Sequence, residues 1–253
     1  MYAQERHQAI VDRARADGRV DVTTLANELD VTPETVRRDL TQLERRGLLR
    51  RVHGGAIPLE RLGFEPGVDT RQGLLSAEKE AIARSALAEL PDGGAIILDA
   101  GTTTYRLAEI LPADRELGVV THSLPIATLL AGRPNITLHL VGGTIRGTTL
   151  AAVGAWAERS LADVRADVAF LGANGLTVED GLTTPDMAEA VVKRALVQAG
   201  KRVVVLADHT KIGRTGLGLV APITSIDTLI TDTGLNSALA EELETAGVHV
   251  VRA

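Results

Sequence analysis

TPETVRRDLTQLERRGLLRRVHGG, residues 32–55, reads as a capped helix, a glycine stop, a short basic strand and a Gly-Gly tip. Thr32 can accept from the free N–H groups of the first turn, and Pro33 at the first helical position gives up no hydrogen bond. Glu34 complements the positive end of the helix dipole. Val36, Leu40 and Leu43 recur at i, i+4 and i+7, which turns one stripe inward. Thr35, Arg37, Arg38, Thr41, Gln42 and Arg45 lie mostly away from that stripe. Gly47 ends the helix, Leu48 and Leu49 anchor the next strand, and Arg50, Arg51 and His53 decorate it up to Gly54-Gly55.

Upstream, residues 4–16 carry Ile10, Val11 and Ala14 on one helical face, with Gly18 as the stop. Val20 and Val22 suit a short strand, and Thr23 or Thr24 is expected to cap a second helix that buries Leu25, Ala26 and Leu29. Asp30-Val31 makes the tight turn into the third helix. Helix–turn–helix followed by a basic hairpin is a winged helix–turn–helix, which lays its last helix in the major groove of DNA. An arginine run alone marks a solvated face. Here the run sits on a capped helix at helix–turn–helix spacing, which favours double-stranded DNA. Position matters more than total charge. Residues 34–51 carry net +3, residues 1–57 net +1 and residues 58–253 net −7, so phosphates would repel the larger part.

A chain of 253 residues with 45% apolar content supports a real core, and at 2% aromatic content that core must be aliphatic. So few aromatics argue against single-strand recognition by base stacking. The absence of cysteine excludes disulfides and thiolate metal sites. No signal-peptide core occupies the first residues, and no apolar run reaches the roughly 18 residues of a membrane span. A soluble, cytoplasmic protein is expected, with no membrane partner, no cofactor and no metal site.

Residues 58–77 hold two Pro, three Gly and no sustained period, and read as a linker between a DNA-binding domain, 1–57, and a second domain, 78–253. From residue 78 amphipathic helices alternate with near-continuous apolar runs at 95–100, 117–122, 136–143, 168–173, 203–208, 227–231 and 248–253. That pattern predicts an α/β domain with a mostly parallel sheet covered on both faces. Ligands bind such sheets at the carboxyl ends of strands, and here those ends are polar. Asp99-Ala100-Gly101-Thr102-Thr103-Thr104 combines close backbone approach, hydroxyl donors and a helix N-terminus, which suits an anion such as phosphate. Thr121-His122-Ser123, Gly142-Gly143-Thr144 and Gly172-Ala173-Asn174-Gly175 end three further runs. Asp186, Glu189 and Lys193 share one helical face, where a surface ion-pair ladder is the plainer account. Asp208-His209-Thr210-Lys211 adds another cation. Lysines, hydroxyls and carboxylates at strand ends suit a phosphorylated polyol.

These residues together resemble the DeoR family of bacterial transcriptional regulators of sugar metabolism. The likeness runs through TPETVRRDLTQLERRGLLRRVHGGA, DAGTTT, VVTHSLPIA, GGT, GANGLT, the Glu189/Lys193 helix and LADHTK, and so spans nearly the whole chain. It implies a sensor domain with a fold like ribose-5-phosphate isomerase, a phosphorylated sugar as effector, and commonly a repressor released when the effector binds. Asp99, Gly101, Thr102, Thr103 and Thr104 become the expected phosphate loop. Asn174, Asp186, Glu189 and Lys193 become the expected sugar contacts, with Lys211 closing the pocket, and His122, Ser123, Gly143 and Asp208 join them as expected effector-binding residues. His122 departs from the Asn expected in many relatives and adds bulk. On the DNA side, Thr35, Arg37 and Arg38 are expected at base edges. Thr41 shares their face, and Arg45, Arg46, Arg50, Arg51 and His53 are expected on phosphates. A lone winged helix contacts few phosphates, so a homodimer or homotetramer on repeated half-sites is expected. The rival reading is an enzyme, a sugar-phosphate isomerase or deaminase carrying a DNA-binding head. No carboxylate or histidine spacing here specifies catalysis, so a non-enzymatic regulator is preferred and no catalytic residue is assigned.

Overall fold

The computed structural model describes residues 3–17, 19–58, 65 and 67–253 and divides into two compact units, Met1–Pro66 and Gly67–Ala253. The first unit comprises α1 (Ala3–Asp17), β1 (Val20–Asp21), α2 (Val22–Glu28), α3 (Pro33–Arg45), β2 (Leu49–Val52) and β3 (Gly55–Pro58). The expected stop at Gly18 lies outside the described residues. Thr32 caps α3 by accepting from Thr35 N, as its position predicts. The cap of α2 differs. Asp21 Oδ1 takes the N–H groups of Thr23 and Thr24 at 2.8 and 3.2 Å, because both threonines already lie inside the first turn. At the other end of α3, Gly47 adopts φ 70°, a left-handed value that glycine takes without strain. It lets Leu48 N reach Leu43 O and Gly47 N reach Glu44 O, both at 2.9 Å, which closes a Schellman motif and starts β2.

Ile10, Leu25, Val36, Leu40, Leu43 and Leu49 are fully buried and make the core of this unit. One acidic residue joins them. Asp39 is 3% exposed, and its carboxylate takes Arg6 Nη2 at 3.1 Å and His7 Nε2 at 2.9 Å, tying α1 to α3. Burial alone would raise its pKa, but the hydrogen bonds from Arg6 and His7 hold it below the ordinary carboxylate value. Asp39→Asn is predicted to weaken this unit by roughly 1.5–3 kcal/mol, the worth of hydrogen bonds to a charged group. Native-state hydrogen exchange of the α1 and α3 amides measures it; unchanged protection would deny the tie a structural role.

The second unit begins with α4 (Val68–Gln72) and α5 (Ser76–Ala86). Residues 67–77, expected in a linker, therefore belong to this unit, while 59–64 and 66 lie outside the described residues. Then follow β4 (Gly94–Leu98), α6 (Thr102–Glu109), β5 (Leu117–Thr121), α7 (Leu124–Leu130), β6 (Ile136–Leu140), β7 (Thr144–Arg146), β8 (Ala151–Val153) and α8 (Ala155–Ala162). The chain continues through β9 (Ala166–Gly172), β10 (Gly175–Thr177), β11 (Gly181–Thr184), α9 (Met187–Ala199), β12 (Gly200–Leu206), β13 (Gly218–Ala221), β14 (Thr228–Thr231), α10 (Ser237–Thr245) and β15 (His249–Arg252).

Each of the apolar runs becomes a strand of one seven-stranded parallel sheet, ordered β15-β14-β12-β9-β4-β5-β6. Alternation decides the faces. Ile97, Ala169, Leu171, Val203 and Val205 pack under α8, α9 and α10. Ile96, Leu98, Val168, Phe170, Val204 and Leu206 pack under α5, α6 and α7. With both faces covered, the strands need no polar alternation. Two smaller sheets, β10-β11-β13 and β7-β8, complete the unit. Just beyond the ends of β4, β5, β12 and β14 stand Asp99, His122, Asp208 and Asp232, each buried. Among the described residues no helix is long and apolar enough to cross a membrane.

Candidate functional site

On the first unit, Arg37, Arg38, Thr41, Gln42, Arg45 and Arg51 line a hollow with Glu34 at its edge. α3 contributes most of it, and β2 brings Arg51 alongside. Arg51 Nη1 donates to Thr41 Oγ1 at 3.1 Å, and its N–H donates to Glu44 Oε1 at 2.9 Å. Thr41 in turn donates to the Arg37 carbonyl at 2.8 Å, so its hydroxyl places Arg51. Thr35 Oγ1 sits 2.9 Å from the capping hydroxyl of Thr32. Arg37 pairs loosely with Glu34 at 3.2 Å on the exposed side. Arg46 and Arg50 are exposed but do not line the hollow, and the His53 carbonyl accepts from Arg19 at the hairpin tip. Gln42, on the outer face in sequence, joins the arginines. Because Asp39 is buried and answered by Arg6 and His7, the outward face is more positive than its sequence charge.

On the second unit the candidate residues fall into three clusters. The first surrounds Asp99, which is wholly buried. Lys193 Nζ donates to its Oδ2 and, at 3.0 Å, to the Gly172 carbonyl. Gly172 N donates to Asp99 Oδ2 at 2.9 Å, and His122 Nε2 lies 2.9 Å from Oδ1. Burial would raise the Asp99 pKa; the ammonium of Lys193 and the hydrogen bond from His122 overcome this and hold it at about 2. His122 was expected to read a sugar hydroxyl. Its ring is 1% exposed, with Nδ1 on the Ala152 carbonyl at 3.0 Å and Nε2 near Asp99 Oδ1 at 2.9 Å and the Ala100 N–H at 3.1 Å, so both ring nitrogens have partners within this unit.

The loop after Asp99 enters α6 at Gly101 with no side-chain cap, which leaves the helix N-terminus open to an anion. Thr102 and Thr103 line this start. Thr104 does not offer its hydroxyl outward as expected; it donates to the carbonyls of Asp99 and Gly101 at 2.8 and 3.0 Å. Ser123 is likewise occupied, capping α7 by accepting from Ile126 N. Gly143 lets β7 pass close to β8, where a Cβ would lie 2.7 Å from the Val153 carbonyl.

The second cluster is built on the start of α9. Asp186 caps the helix through Glu189 N at 2.9 Å, and its other oxygen takes Arg146 Nε at 3.1 Å. Glu189 is 5% exposed; its Oε1 accepts from Thr149 Oγ1 and from Arg146 Nη1 at 3.3 Å, and its Oε2 from Thr184 Oγ1 at 3.5 Å. Thr184 also donates to Asn174 Oδ1 at 3.3 Å. The surface ladder that spacing allows is therefore not formed. Glu189 and Lys193 are both buried and turn to different partners. Arg146, Thr149 and Thr184 are not predicted, because a lone arginine in a hairpin, a threonine in its turn and another in a strand carry no periodic or spacing signal.

In the third cluster Asp208 accepts from Thr210 N at 3.1 Å and from its hydroxyl, with Lys211 Nζ 3.7 Å away. Burial opposes ionisation, and Lys211 and Thr210 still keep the Asp208 pKa below the usual range. Lys79, also unpredicted, is buried in the same neighbourhood. The three clusters hold cations, carboxylates and hydroxyls, and α6 begins without a side-chain cap, which are the kinds of group that a small anionic polyol needs.

The family model described as "DeoR-like helix-turn-helix domain" matches residues 6–61, and that described as "DeoR C terminal sensor domain" matches residues 75–233. The HTH-type transcriptional regulator GlpR of Haloferax volcanii is 40% identical over 252 residues, 99% of this chain and 98% of the relative. The HTH-type transcriptional repressor GlcR of Bacillus subtilis is 33% identical over 99% of this chain and 96% of the relative. The putative aga operon transcriptional repressor of Escherichia coli O157:H7 is 31% identical over 98% of this chain and 93% of the relative. Among solved structures, ribose 5 phosphate isomerase A from Neisseria gonorrhoeae overlays with a TM-score of 0.38 at 19% identity, covering 55% of this chain and 54% of that one. A winged DNA-binding head, a sensor built on a parallel sheet, and relatives matched end to end place the molecule: the chain belongs to the DeoR family of HTH-type transcriptional regulators.

Proposed function

We propose that this regulator is a repressor of a sugar or polyol catabolic operon, released from its operator by a phosphorylated sugar intermediate. The observation that carries the reading is the pairing of an open α6 N-terminus at Gly101–Thr103 with the buried ion clusters of Asp99–Lys193 and Arg146–Asp186–Glu189. A phosphate takes the amides and positive dipole end of α6. Sugar hydroxyls exchange with Thr149, Thr184 and Arg146 around Glu189 and Asp186. The repressor names of two relatives support the sign of regulation. The protein acts in the cytoplasm as a homodimer or homotetramer, since one hollow on α3 engages too few phosphates for useful operator affinity.

The effector must bind one arrangement of the sensor better than the other for release to occur. Fluorescence anisotropy on a DNA fragment from the chain's own promoter, at fixed salt, tests this. A saturating cognate sugar phosphate is expected to weaken operator binding by roughly five- to 150-fold, the usual range of allosteric coupling. If no member of a panel of triose, pentose and hexose phosphates changes the affinity, the proposed switch is wrong.

A further inference from the structure

The stretch Gly67–Leu75 carries the chain from the DNA-binding unit into the first long helix of the sensor. It is fastened at two places. At its start, Val68 N donates to the Thr148 carbonyl at 2.9 Å. Thr148 lies in the turn between β7 and β8, where Thr149 N and Leu150 N both donate to the Arg146 carbonyl, at 3.2 and 2.8 Å. Leu150 closes that turn at φ 55°, a strained value for a residue with a side chain. Arg146 and Thr149, which frame the turn, are the two residues that hold Glu189 through their side chains from this hairpin.

At the far end of the stretch, Lys79 Nζ donates to the carbonyls of Arg71 and Leu74, at 2.5 and 2.6 Å. Lys79 is 4% exposed. Burial pushes its pKa down to about 8; Asp208 pulls it back up, and Lys211, Arg71 and Arg106 oppose that. The ammonium thus clamps the stretch and feels the charges of Asp208 and Lys211. The first fastening leads through the β7–β8 turn to a candidate effector contact, Glu189, and the second lies within electrostatic reach of Asp208 and Lys211.

We propose that Gly67–Leu75 is a transmission strap, and that the Val68–Thr148 hydrogen bond and the Lys79 clamp are the fastenings through which a bound effector changes its hold. The proposal rests on the reading of these clusters as the effector site. A polyol that takes over Arg146 and Thr149 from Glu189 moves the β7–β8 turn and with it the acceptor of Val68. An anion beside Lys211 changes the charge that Lys79 feels, and with it the hold of Lys79 on the two carbonyls it clamps. Lys79 and Thr148 are positioning residues and need not touch the ligand.

Val68→Pro isolates the first fastening. Val68 is the first residue of α4, where proline is tolerated, and Gly67 at φ −57° and ψ 155° already has the conformation required before proline. Lys79→Met removes the second while keeping an unbranched stem. Full-length protein is titrated with the triose, pentose and hexose phosphate panel by calorimetry. Operator release is then measured with the tightest-binding member, and hydrogen exchange is followed over residues 67–75. Both variants are expected to bind that sugar phosphate within about threefold of wild type and to release the operator at least about tenfold less effectively. In wild type the ligand is expected to change exchange of the strap, and in Val68→Pro that change is lost. Normal release by Val68→Pro, with strap exchange indifferent to ligand, overturns the proposal even if Lys79→Met fails to fold. A wild-type protein that binds no member of the panel overturns the effector reading, and the strap's trigger with it.

Discussion

Asp99→Asn will weaken the sensor unit by roughly 3–5 kcal/mol, the cost of breaking a buried ion pair and leaving its partner uncompensated. The substitution preserves shape, so the loss isolates charge. Lys193 Nζ, 3% exposed as a residue, then faces a neutral amide beside the Gly172 carbonyl in place of its counter-ion, and His122 loses the anion beside Nε2. Lys193→Met strands the opposite charge and should cost a comparable amount. The double variant is the decisive one. With both charges gone, the pair's mutual dependence predicts a loss clearly smaller than the sum of the singles. Native-state hydrogen exchange of the β4, β9 and α9 amides measures all three. Additive losses would mean that the two residues act independently.

The same carboxylate predicts an acid limb. Its folded pKa of about 2 lies below the ordinary aspartate value of 3.8, so the stabilisation it supplies is present above about pH 4 and is lost as pH falls toward 2. At 1.36 kcal/mol per pK unit, that limb is worth roughly 2 kcal/mol. It should appear in wild type and be missing from Asp99→Asn; a limb of equal size in both would assign it to other carboxylates.

The fold was legible where local chemistry and tertiary context agree. Seven apolar runs became seven parallel strands because strands covered on both faces announce themselves by continuous apolarity. Thr32, Pro33 and Gly47 bracket α3 because caps and left-handed stops act over a few residues. The site was legible as positions more than as roles. Asp99, Glu189 and Lys193 stood out as polar residues at strand ends and on one helical face, but their partners come from distant segments. Spacing favours a Glu189–Lys193 ladder, whereas burial draws Lys193 to Asp99, across 94 residues of sequence, and Glu189 to Thr149, across 40. His122 reads as a ligand contact because it ends a strand, and only its enclosure shows that both ring nitrogens are spent. Arg146, Thr149 and Lys79 carry no motif; the hairpin and the strap that bring them in are recognisable only once folded. Asp21 displaced Thr23 and Thr24 as the α2 cap because helix ends shift by a residue or two with the incoming chain.

Arg37→Ala will cost operator binding roughly 1–3 kcal/mol, about tenfold to a hundredfold, while leaving binding to random duplex nearly unchanged. The reason is placement. Arg37 lies in the second turn of α3, where a recognition helix presents side chains to base edges, and it opens onto the hollow shared with Arg38 and Arg51. Its present partner does not hold it strongly: the pair with Glu34 spans 3.2 Å between half-exposed or more exposed side chains, and such pairs are worth about 0–1 kcal/mol. A guanine edge can therefore replace Glu34 with a bidentate partner. Arg45 provides the contrast. It stands in the last turn of α3 on the same hollow, and Arg45→Ala should weaken specific and random DNA alike, lowering the salt slope by about one phosphate. The two variants are compared by anisotropy on operator and scrambled duplexes across a salt series. Equal loss on both duplexes for Arg37→Ala would move that arginine to the phosphates and leave base reading to Arg38 and Gln42. Thr41 sharpens the test, because its hydroxyl accepts from Arg51 Nη1 at 3.1 Å. Thr41→Val should then behave like a weakened Arg51, changing the salt slope more than the sequence preference, and a loss confined to the operator would instead place Thr41 at a base edge.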